Sequence, residues 1–206
     1  VLAVIGRRTV RTVKVLKLQG DGRETAAEMV RVPNPDGDYQ RFAYSIPAIT
    51  KITKQVRAVS RVPIIMKLSP NAWNIAELAK VSEANGADAI TAVNTVSGMS
   101  IDVRSRTPVL HNRQGGISGP ALFPIALNCV YQIYEAVKIP IIGTGGITTG
   151  HDALAMIMAG ASLLGVGSAV YYRGPDAFAQ IRDEMVKLME EEGIRSLEEI
   201  RGIAHI

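Results

Sequence analysis

The sequence predicts an α/β fold, and within that class a TIM (β/α)8 barrel that is incomplete at its N-terminal units. From residue 62 onward, short β-rich runs alternate with amphipathic helical stretches, and this unit occurs four times. Strands that are apolar on both faces and alternate with helices form a parallel sheet covered by helices. Glycine turns follow the last two strands, where a barrel usually places its phosphate site, and this favours a barrel over an open sheet.

The strands and helices of this regular part follow from the pattern. Strands are predicted at 62–68, 87–94, 139–145 and 162–168. Between and after them, apolar residues recur every three or four positions, which predicts helices with one buried face. One such helix covers 151–159. The predicted inward residues of the others are Ile75, Leu78, Ala79 and Ser82, then Leu122, Ile125, Cys129 and Ile133, and finally Phe178, Ile181, Met185 and Leu188.

The first 61 residues fit this repeat less well. Strands are predicted at 1–5 and 12–18, and a helix at 45–60 with Ile49, Ile52, Val56 and Val59 facing inward. A complete barrel needs about 250 residues, whereas this chain offers only about six strands. We therefore expect a single barrel domain over 1–206, in which residues 1–44 match the pattern poorly or are discontinuous with the rest.

Composition and charge narrow the function classes. The chain of 206 residues has no apolar run long enough to span a membrane and one cysteine, Cys129, so we expect a soluble cytoplasmic protein without disulfides. Residues 1–67 carry thirteen Lys and Arg against five Asp and Glu, and the remainder carries ten against fourteen. No aromatic platform accompanies the basic part, which favours a solvated surface over a nucleic-acid site.

Two glycine turns indicate a phosphate site. "GTGGI" (143–147) and "GVGS" (165–168) end consecutive predicted strands. Glycines let the backbone approach a ligand closely, and a following helix directs its free N–H groups and positive dipole end to the same place. Ordinary tight turns also use glycine, but two such turns in consecutive βα units favour a bound phosphate.

Polar residues end the two preceding strands. Lys67 lies within a strand of the predicted parallel sheet and needs an anionic partner there, unless it only extends to solvent at the strand end. Asn94 and Thr95 end the next strand and can hydrogen-bond a polar planar ring, although an Asx or ST turn would use the same residues. "GGISGPA" (115–121) adds another close-approach turn before a helix.

The three histidines and the single cysteine do not indicate a metal site or a nucleophile. His111, His151 and His205 lack metal-ligand spacing, so no metal site is predicted and all three are interpreted as surface or loop residues. Cys129 lies on the apolar face of its helix, which favours a buried structural thiol over a nucleophile.

Several segments together resemble dihydroorotate dehydrogenase. They are "MKLSPN", "VNTVSGMSIDVRSRTPVL", "GGISGPALFPIAL", "IPIIGTGGITTGHDAL" and "GVGSAVYYRGP". The best match is the catalytic subunit of the class 1 subgroup that passes electrons to NAD through an iron–sulfur, FAD-containing partner. This resemblance implies a TIM barrel that binds FMN and oxidises dihydroorotate to orotate in pyrimidine biosynthesis. It also implies a homodimer or a heterotetramer.

The resemblance also assigns roles to residues. It implies that Lys67, Val93 and Gly119 contact the flavin and that Asn94 and Thr95 bind the orotate ring. The residues implied to hold the FMN phosphate are Gly145, Gly146, Gly167 and Ser168. Upstream, where the family has a cysteine as catalytic base followed by Pro-Asn, this chain has Val32, which cannot accept a proton, then Pro33 and Asn34. Asn34 is a candidate substrate residue, and the base is not identified.

Two explanations of Val32 stay open. Abrupt joins in "GRRTVRTVKVLKLQGDGRETAAEMVRVPNP" favour a sequence that lacks the catalytic loop over a truncated relative. Three other functions also stay open: a related FMN barrel acting on other dihydropyrimidines, a non-catalytic barrel fragment that binds a phosphorylated ligand, and a phosphosugar enzyme. The phosphosugar enzyme would share both glycine turns but has no particular need for Lys67 together with Asn94 and Thr95.

Overall fold

A computed structural model describes residues 43–205 in full and, before them, the backbone of two strands, β1 (Thr12–Leu18) and β2 (Glu24–Arg31). The two strands pair antiparallel, with Thr12 opposite Arg31. β1 was predicted, whereas β2 was missed because its alanines and glutamates are more typical of helices. The predicted strand at 1–5, like Val32 and Asn34, lies outside the described residues.

Residues 43–205 contain the four predicted βα units. The helices are α1 (Ile46–Val59), α2 (Ile75–Ala84), α3 (Phe123–Ala136), α4 (Gly150–Met158), α5 (Ala169–Arg173), α6 (Ala177–Glu191) and α7 (Leu197–Ile200). The strands are β3 (Ile65–Leu68), β4 (Ala89–Ala92), β5 (Val96–Gly98), β6 (Ile101–Asp102), β7 (Thr107–Pro108), β8 (Gly115–Ile117), β9 (Ile141–Thr144) and β10 (Leu163–Gly165). A 3-10 turn at Pro120–Leu122 precedes α3. Within this part of the chain, no helix is long and apolar enough to cross a membrane.

Four of these strands form one parallel sheet in the order β10-β9-β4-β3. The residues that face the helices, such as Met66, Ile90 and Ile141, are buried in one hydrophobic core. Helices α1, α2, α3, α4 and α6 pack each against the next in that order. This curved wall of strands covered by helices is a contiguous part of a TIM barrel, as predicted.

Helix faces are the part of the fold that the periodicity predicted least well. Val59, Ile125 and Phe178, predicted inward, are 48%, 42% and 56% exposed. Smaller neighbours are buried instead, among them Thr53 and Ala126. The Thr53 hydroxyl donates to the Ile49 carbonyl at 2.7 Å, so a polar residue can be buried there without cost. Packing on the sheet therefore selects the buried face, and small residues allow the closest approach.

The insertion between β4 and α3 is a folded arm. β5 pairs antiparallel with β8, and β6 with β7, so the chain leaves the sheet and returns along itself. The return path ends at Ser118 and Gly119, just before the 3-10 turn. The arm therefore brings its own last residues back to the carboxyl edge of the sheet.

The structure tests the predicted exposure of the three histidines and of Cys129. His111 and His151 are exposed and Cys129 is buried, as predicted, and burial raises the pKa of the Cys129 thiol. His205 lies in the loop after α7, as predicted, but its side chain is only 15% exposed and stacks on the Tyr131 ring, with centroids 3.8 Å apart. Among residues 43–205, no cluster of three or more His, Cys, Asp or Glu could hold a metal ion.

Candidate active site

A cavity of about 150 Å³ lies at the carboxyl ends of the four parallel strands. Parallel strands end at one edge of a sheet, so residues far apart in sequence meet there. The residues that line the cavity are Lys67, Val93, Asn94, Thr95, Ser118, Gly119, Leu122, Thr144, Gly145, Gly146, Gly165, Gly167 and Ser168. Complete small-molecule pockets measure roughly 300–1,000 Å³, so the cavity formed by the described residues is smaller than a typical ligand pocket.

The predicted site residues are thereby brought together. All nine that lie in the described part of the chain line the cavity: Lys67, Val93, Asn94, Thr95, Gly119, Gly145, Gly146, Gly167 and Ser168. Their roles toward a flavin or an orotate ring stay predictions.

The two glycine turns lie side by side, because β9 and β10 are adjacent and Gly165 is opposite Thr144. The Thr144 hydroxyl donates to the Gly165 carbonyl at 2.7 Å and ties the strand ends together. Among residues 43–205, the backbone N–H groups of Gly146, Gly167 and Ser168 have no hydrogen-bond acceptor. Clustered free N–H groups of this kind bind anions.

Gly146 and Gly167 are glycines for different reasons. Gly146 has φ +73°, and a Cβ there would lie 2.5 Å from the Phe123 nitrogen and 2.8 Å from the Gly119 carbonyl oxygen. At Gly146 it is therefore the protein's own backbone that approaches closely. A Cβ at Gly167 would meet nothing within 4 Å. The packing of the described residues therefore does not require glycine at 167, and the space beside it opens to the cavity.

Most N–H groups at the start of the helix after β9 are already bonded within the protein, although the sequence predicted them to be free. Thr149 caps α4 by accepting from the Asp152 N–H at 3.1 Å, and Asp152 accepts from the N–H groups of Thr148 and Thr149, both at 2.9 Å. Partial burial acts to raise the pKa of Asp152, but the hydrogen bonds from Thr148 and Thr149 outweigh it and lower this pKa. The candidate anion site therefore consists mainly of the glycine turns themselves, next to the short helix α5.

Arg173 and Glu184 tie the two glycine turns to each other. Arg173, at the end of α5, donates to the Thr148 carbonyl at 2.7 Å and forms an ion pair with Glu184 of α6. Glu184 also accepts from the Gly150 N–H at 2.7 Å. The hydrogen bond from Arg173 lowers the pKa of Glu184. Sequence reasoning missed this pair, because no local motif connects residues eleven positions apart on different helices.

Lys67 lies on the inner face of the sheet. Its neighbours Met66 and Leu68 are buried under the helices, so the alternation of a strand directs Lys67 to the opposite side, where it is exposed. It is the only charged residue among those that line the cavity. It forms no ion pair or hydrogen bond with another residue of 43–205. The cavity wall is thus positively charged.

The exit of β4 is fixed by backbone and side-chain bonds. The Val93 N–H donates to the Thr144 carbonyl and the Asn94 N–H to the Leu68 carbonyl, each at 2.8 Å. Asn71, in the loop after β3, bonds to the backbone of Thr95. Sequence reasoning gave Asn71 no role, because its partners Thr95 and Ser97 are more than twenty residues away.

This arrangement can hold an anion at the glycine turns and a polar ring beside Lys67, Asn94 and Thr95. The lining residues from the described part of the chain include no carboxylate, imidazole or thiol. Lys67 is therefore the one described lining residue whose side chain is of a type that commonly acts as a general base.

Comparison with known proteins gives one family. Residues 23–189 match the family model for dihydroorotate dehydrogenase. The chain is 43% identical over 188 residues to the catalytic subunit of dihydroorotate dehydrogenase B (NAD(+)) of Desulforamulus reducens, covering 91% of this chain and 62% of that protein. The corresponding subunit of Methanocaldococcus jannaschii is 44% identical over 154 residues, covering 75% and 50%.

A solved structure has the same fold. It is the crystal structure of DHODH from Eimeria tenella in complex with ferulenol, with a TM-score of 0.68 and 24% sequence identity. The match covers 83% of this chain and 52% of that one. Against these three proteins the chain spans about half to two thirds of the full length.

Proposed function

The chain belongs to the dihydroorotate dehydrogenase family, and from this premise we propose that it contributes the catalytic centre of an FMN-dependent enzyme that oxidises dihydroorotate to orotate in pyrimidine biosynthesis. One observation carries the proposal: a single cavity collects Lys67, Asn94, Thr95 and both glycine turns from the four adjacent strands of the parallel sheet. A phosphosugar barrel would explain the glycine turns but has no particular need for Lys67 together with Asn94 and Thr95.

The chemistry of the described lining residues suits FMN. Free N–H groups at Gly146, Gly167 and Ser168 suit the phosphate dianion, and the open space at Gly167 suits its close approach. Gly145 completes this phosphate set, while Lys67, Val93 and Gly119 would contact the ring system. When bound, FMN supplies the two-electron acceptor that amino-acid side chains lack.

Each polar residue has a distinct task in this mechanism. Lys67 places a positive charge at the inner wall, where it stabilises negative charge that develops on the ring bound next to it. Asn94 and Thr95 orient the substrate ring through amide and hydroxyl hydrogen bonds, which restricts it to a reactive pose. We propose that the base comes from the part of the protein outside residues 43–205, where Asn34 also lies.

The relatives also suggest a partner. They are named catalytic subunits of an NAD(+)-dependent enzyme, a name that implies a separate subunit for electron transfer. We propose an iron–sulfur, FAD-containing partner, assembly as a homodimer or heterotetramer, and a cytoplasmic location.

An anaerobic absorbance experiment tests the proposed function. We expect the purified protein to show the visible bands of a bound flavin and to lose them when dihydroorotate is added. Bleaching by dihydrouracil but not by dihydroorotate would favour the related barrel acting on other dihydropyrimidines. A colourless protein that binds a phosphorylated ligand but neither FMN nor orotate would contradict the proposal and favour a non-catalytic module.

A further inference from the structure

Asn71 uses both ends of its side-chain amide. Its Oδ1 accepts from the Ser97 N–H at 2.9 Å, and its Nδ2 donates to the Thr95 carbonyl at 3.1 Å and to the Ser69 hydroxyl at 3.0 Å. The Ser69 hydroxyl oxygen also accepts from the Asn71 backbone N–H at 3.3 Å. Because these partners satisfy both polar atoms, they fix the amide in one orientation.

These bonds make Asn71 a substitute for a neighbouring strand. In a neighbouring parallel strand, one residue would accept a hydrogen bond from an N–H of β5 and donate one to the carbonyl two residues earlier in the chain. The Asn71 amide makes the same two bonds, because it accepts from the Ser97 N–H and donates to the Thr95 carbonyl. β8 pairs with β5, with Val96 opposite Ile117. The start of β5 is therefore held by a strand and by a single side chain.

The position of β5 affects the cavity in two ways. Thr95, just before β5, lines the cavity directly, and β8 leads into Ser118 and Gly119, which also line it. Gly116 in β8 leaves room for the Thr95 side chain, because a Cβ there would overlap the Thr95 hydroxyl. A shift of β5 would move all of these groups relative to Lys67.

We propose that Asn71 is a positioning residue for the substrate ring, which holds Thr95 and the Ser118–Gly119 turn in place opposite Lys67. This inference rests on the proposed function and extends it to a residue that does not line the cavity. Asn71 follows β3, whereas Gly167 and Ser168 follow β10 at the other edge of the described sheet. Asn71 therefore controls binding of the pyrimidine and leaves the hold on the phosphate unchanged.

The test compares Asn71→Ala with Asn74→Ala, a change in the same loop at an amide that donates only to the exposed Glu77. For Asn71→Ala we expect the KM for dihydroorotate and the Kd for orotate to rise between about 10-fold and 100-fold. The Kd for FMN should stay within about twofold, and Asn74→Ala should resemble the unchanged protein. Asn71→Asp keeps the acceptor for Ser97 but loses both donors, so we expect it to resemble Asn71→Ala.

Folding is not expected to obscure the result, because Asn71 is exposed and each of its hydrogen bonds contributes only about 1 kcal/mol. If the unchanged protein oxidises dihydroorotate and Asn71→Ala binds orotate equally well, the positioning role is wrong and the proposed function stands. Equal losses of FMN and orotate affinity, or the same loss in Asn74→Ala, would also overturn the positioning role. An unchanged protein that binds neither FMN nor orotate would overturn both proposals.

Discussion

The two sides of the cavity are built by different means. We call the loops after β9 and β10 the phosphate side, and the loops after β3 and β4, with β5 and β8, the ring side. On the phosphate side, the ion pair of Arg173 and Glu184 and the capping carboxylate of Asp152 hold glycine turns in place. On the ring side, the hydrogen bonds of one neutral amide, Asn71, do the corresponding work.

The two sides also offer a ligand different kinds of groups: backbone N–H groups on the phosphate side and side chains on the ring side. On the phosphate side, the positions of the backbone N–H groups depend on the backbone conformation and on close packing. The charged side chains of Arg173, Glu184 and Asp152 fix the loops that carry these groups. The ring side offers the side chains that would contact the reacting ring, and Lys67 is the only charged residue among the described ones that line the cavity. We therefore expect substitutions on the ring side to change catalysis, and those on the phosphate side to change stability and FMN affinity.

The largest expected effect is at Lys67. Lys67→Met removes the one positive charge that lines the cavity, so we expect the rate of flavin reduction by dihydroorotate to fall by about 100-fold or more. The thermal midpoint should not fall, because Lys67 forms no ion pair within residues 43–205. Stopped-flow absorbance and thermal unfolding measure the two quantities. Lys80→Met, on the exposed side of α2, is the matched control, and an equal loss of rate there would contradict the role of Lys67.

The two glycines of the phosphate side provide the next test. Gly146→Ala forces a Cβ against the Phe123 backbone at positive φ, so we expect it to lower the free energy of unfolding by about 2–4 kcal/mol. Gly167→Ala adds a methyl group where nothing lies within 4 Å. Its stability should stay within about 0.5 kcal/mol, while its affinity for FMN falls about tenfold as the methyl group occupies ligand space.

Denaturant unfolding without FMN and titration with FMN separate these outcomes. A destabilised Gly167→Ala protein would mean that this glycine, too, serves the protein's own packing. Unchanged FMN affinity in Gly167→Ala would remove the observation that distinguishes a ligand site from an ordinary turn.

How much could be predicted from sequence also differs between the sides. The glycine turns, Lys67, Asn94 and Thr95 all follow strands, so a local pattern and the shared edge of a parallel sheet suffice to bring them together. The role of Asn71 could not be predicted, because its partners Thr95 and Ser97 lie on the far side of α2 and β4 in sequence.

Other failures have the same physical origin. Arg173 and Glu184 meet only once α5 and α6 are packed. Val59, Ile125 and Phe178 fit an apolar helical period but lie on exposed sides, since contact with the sheet and not the period selects the buried face. Sequence predicts what local spacing determines, and tertiary contacts determine which of the possible partners are used.

The smallest expected effect is a difference between the two sides in how the thermal stability of the protein depends on pH. Hydrogen bonds from Thr148 and Thr149 lower the pKa of Asp152, and the hydrogen bond from Arg173 lowers the pKa of Glu184. In acid, these two carboxylates therefore bind fewer protons in the folded protein than in the unfolded chain. Their stabilisation is present above the unfolded values of about 4 and is lost as pH falls through the folded values. We expect Asp152→Asn to lower the thermal midpoint by about 2–4 °C at neutral pH, with a shallower further decline in acid than the unchanged protein. The other carboxylates are common to both proteins, so their contributions cancel when the two declines are compared.

Asn71→Ala, a neutral change on the ring side, is the control. We expect its thermal midpoint to decline with falling pH as steeply as that of the unchanged protein. A decline altered by Asn71→Ala but not by Asp152→Asn would contradict the division between the two sides.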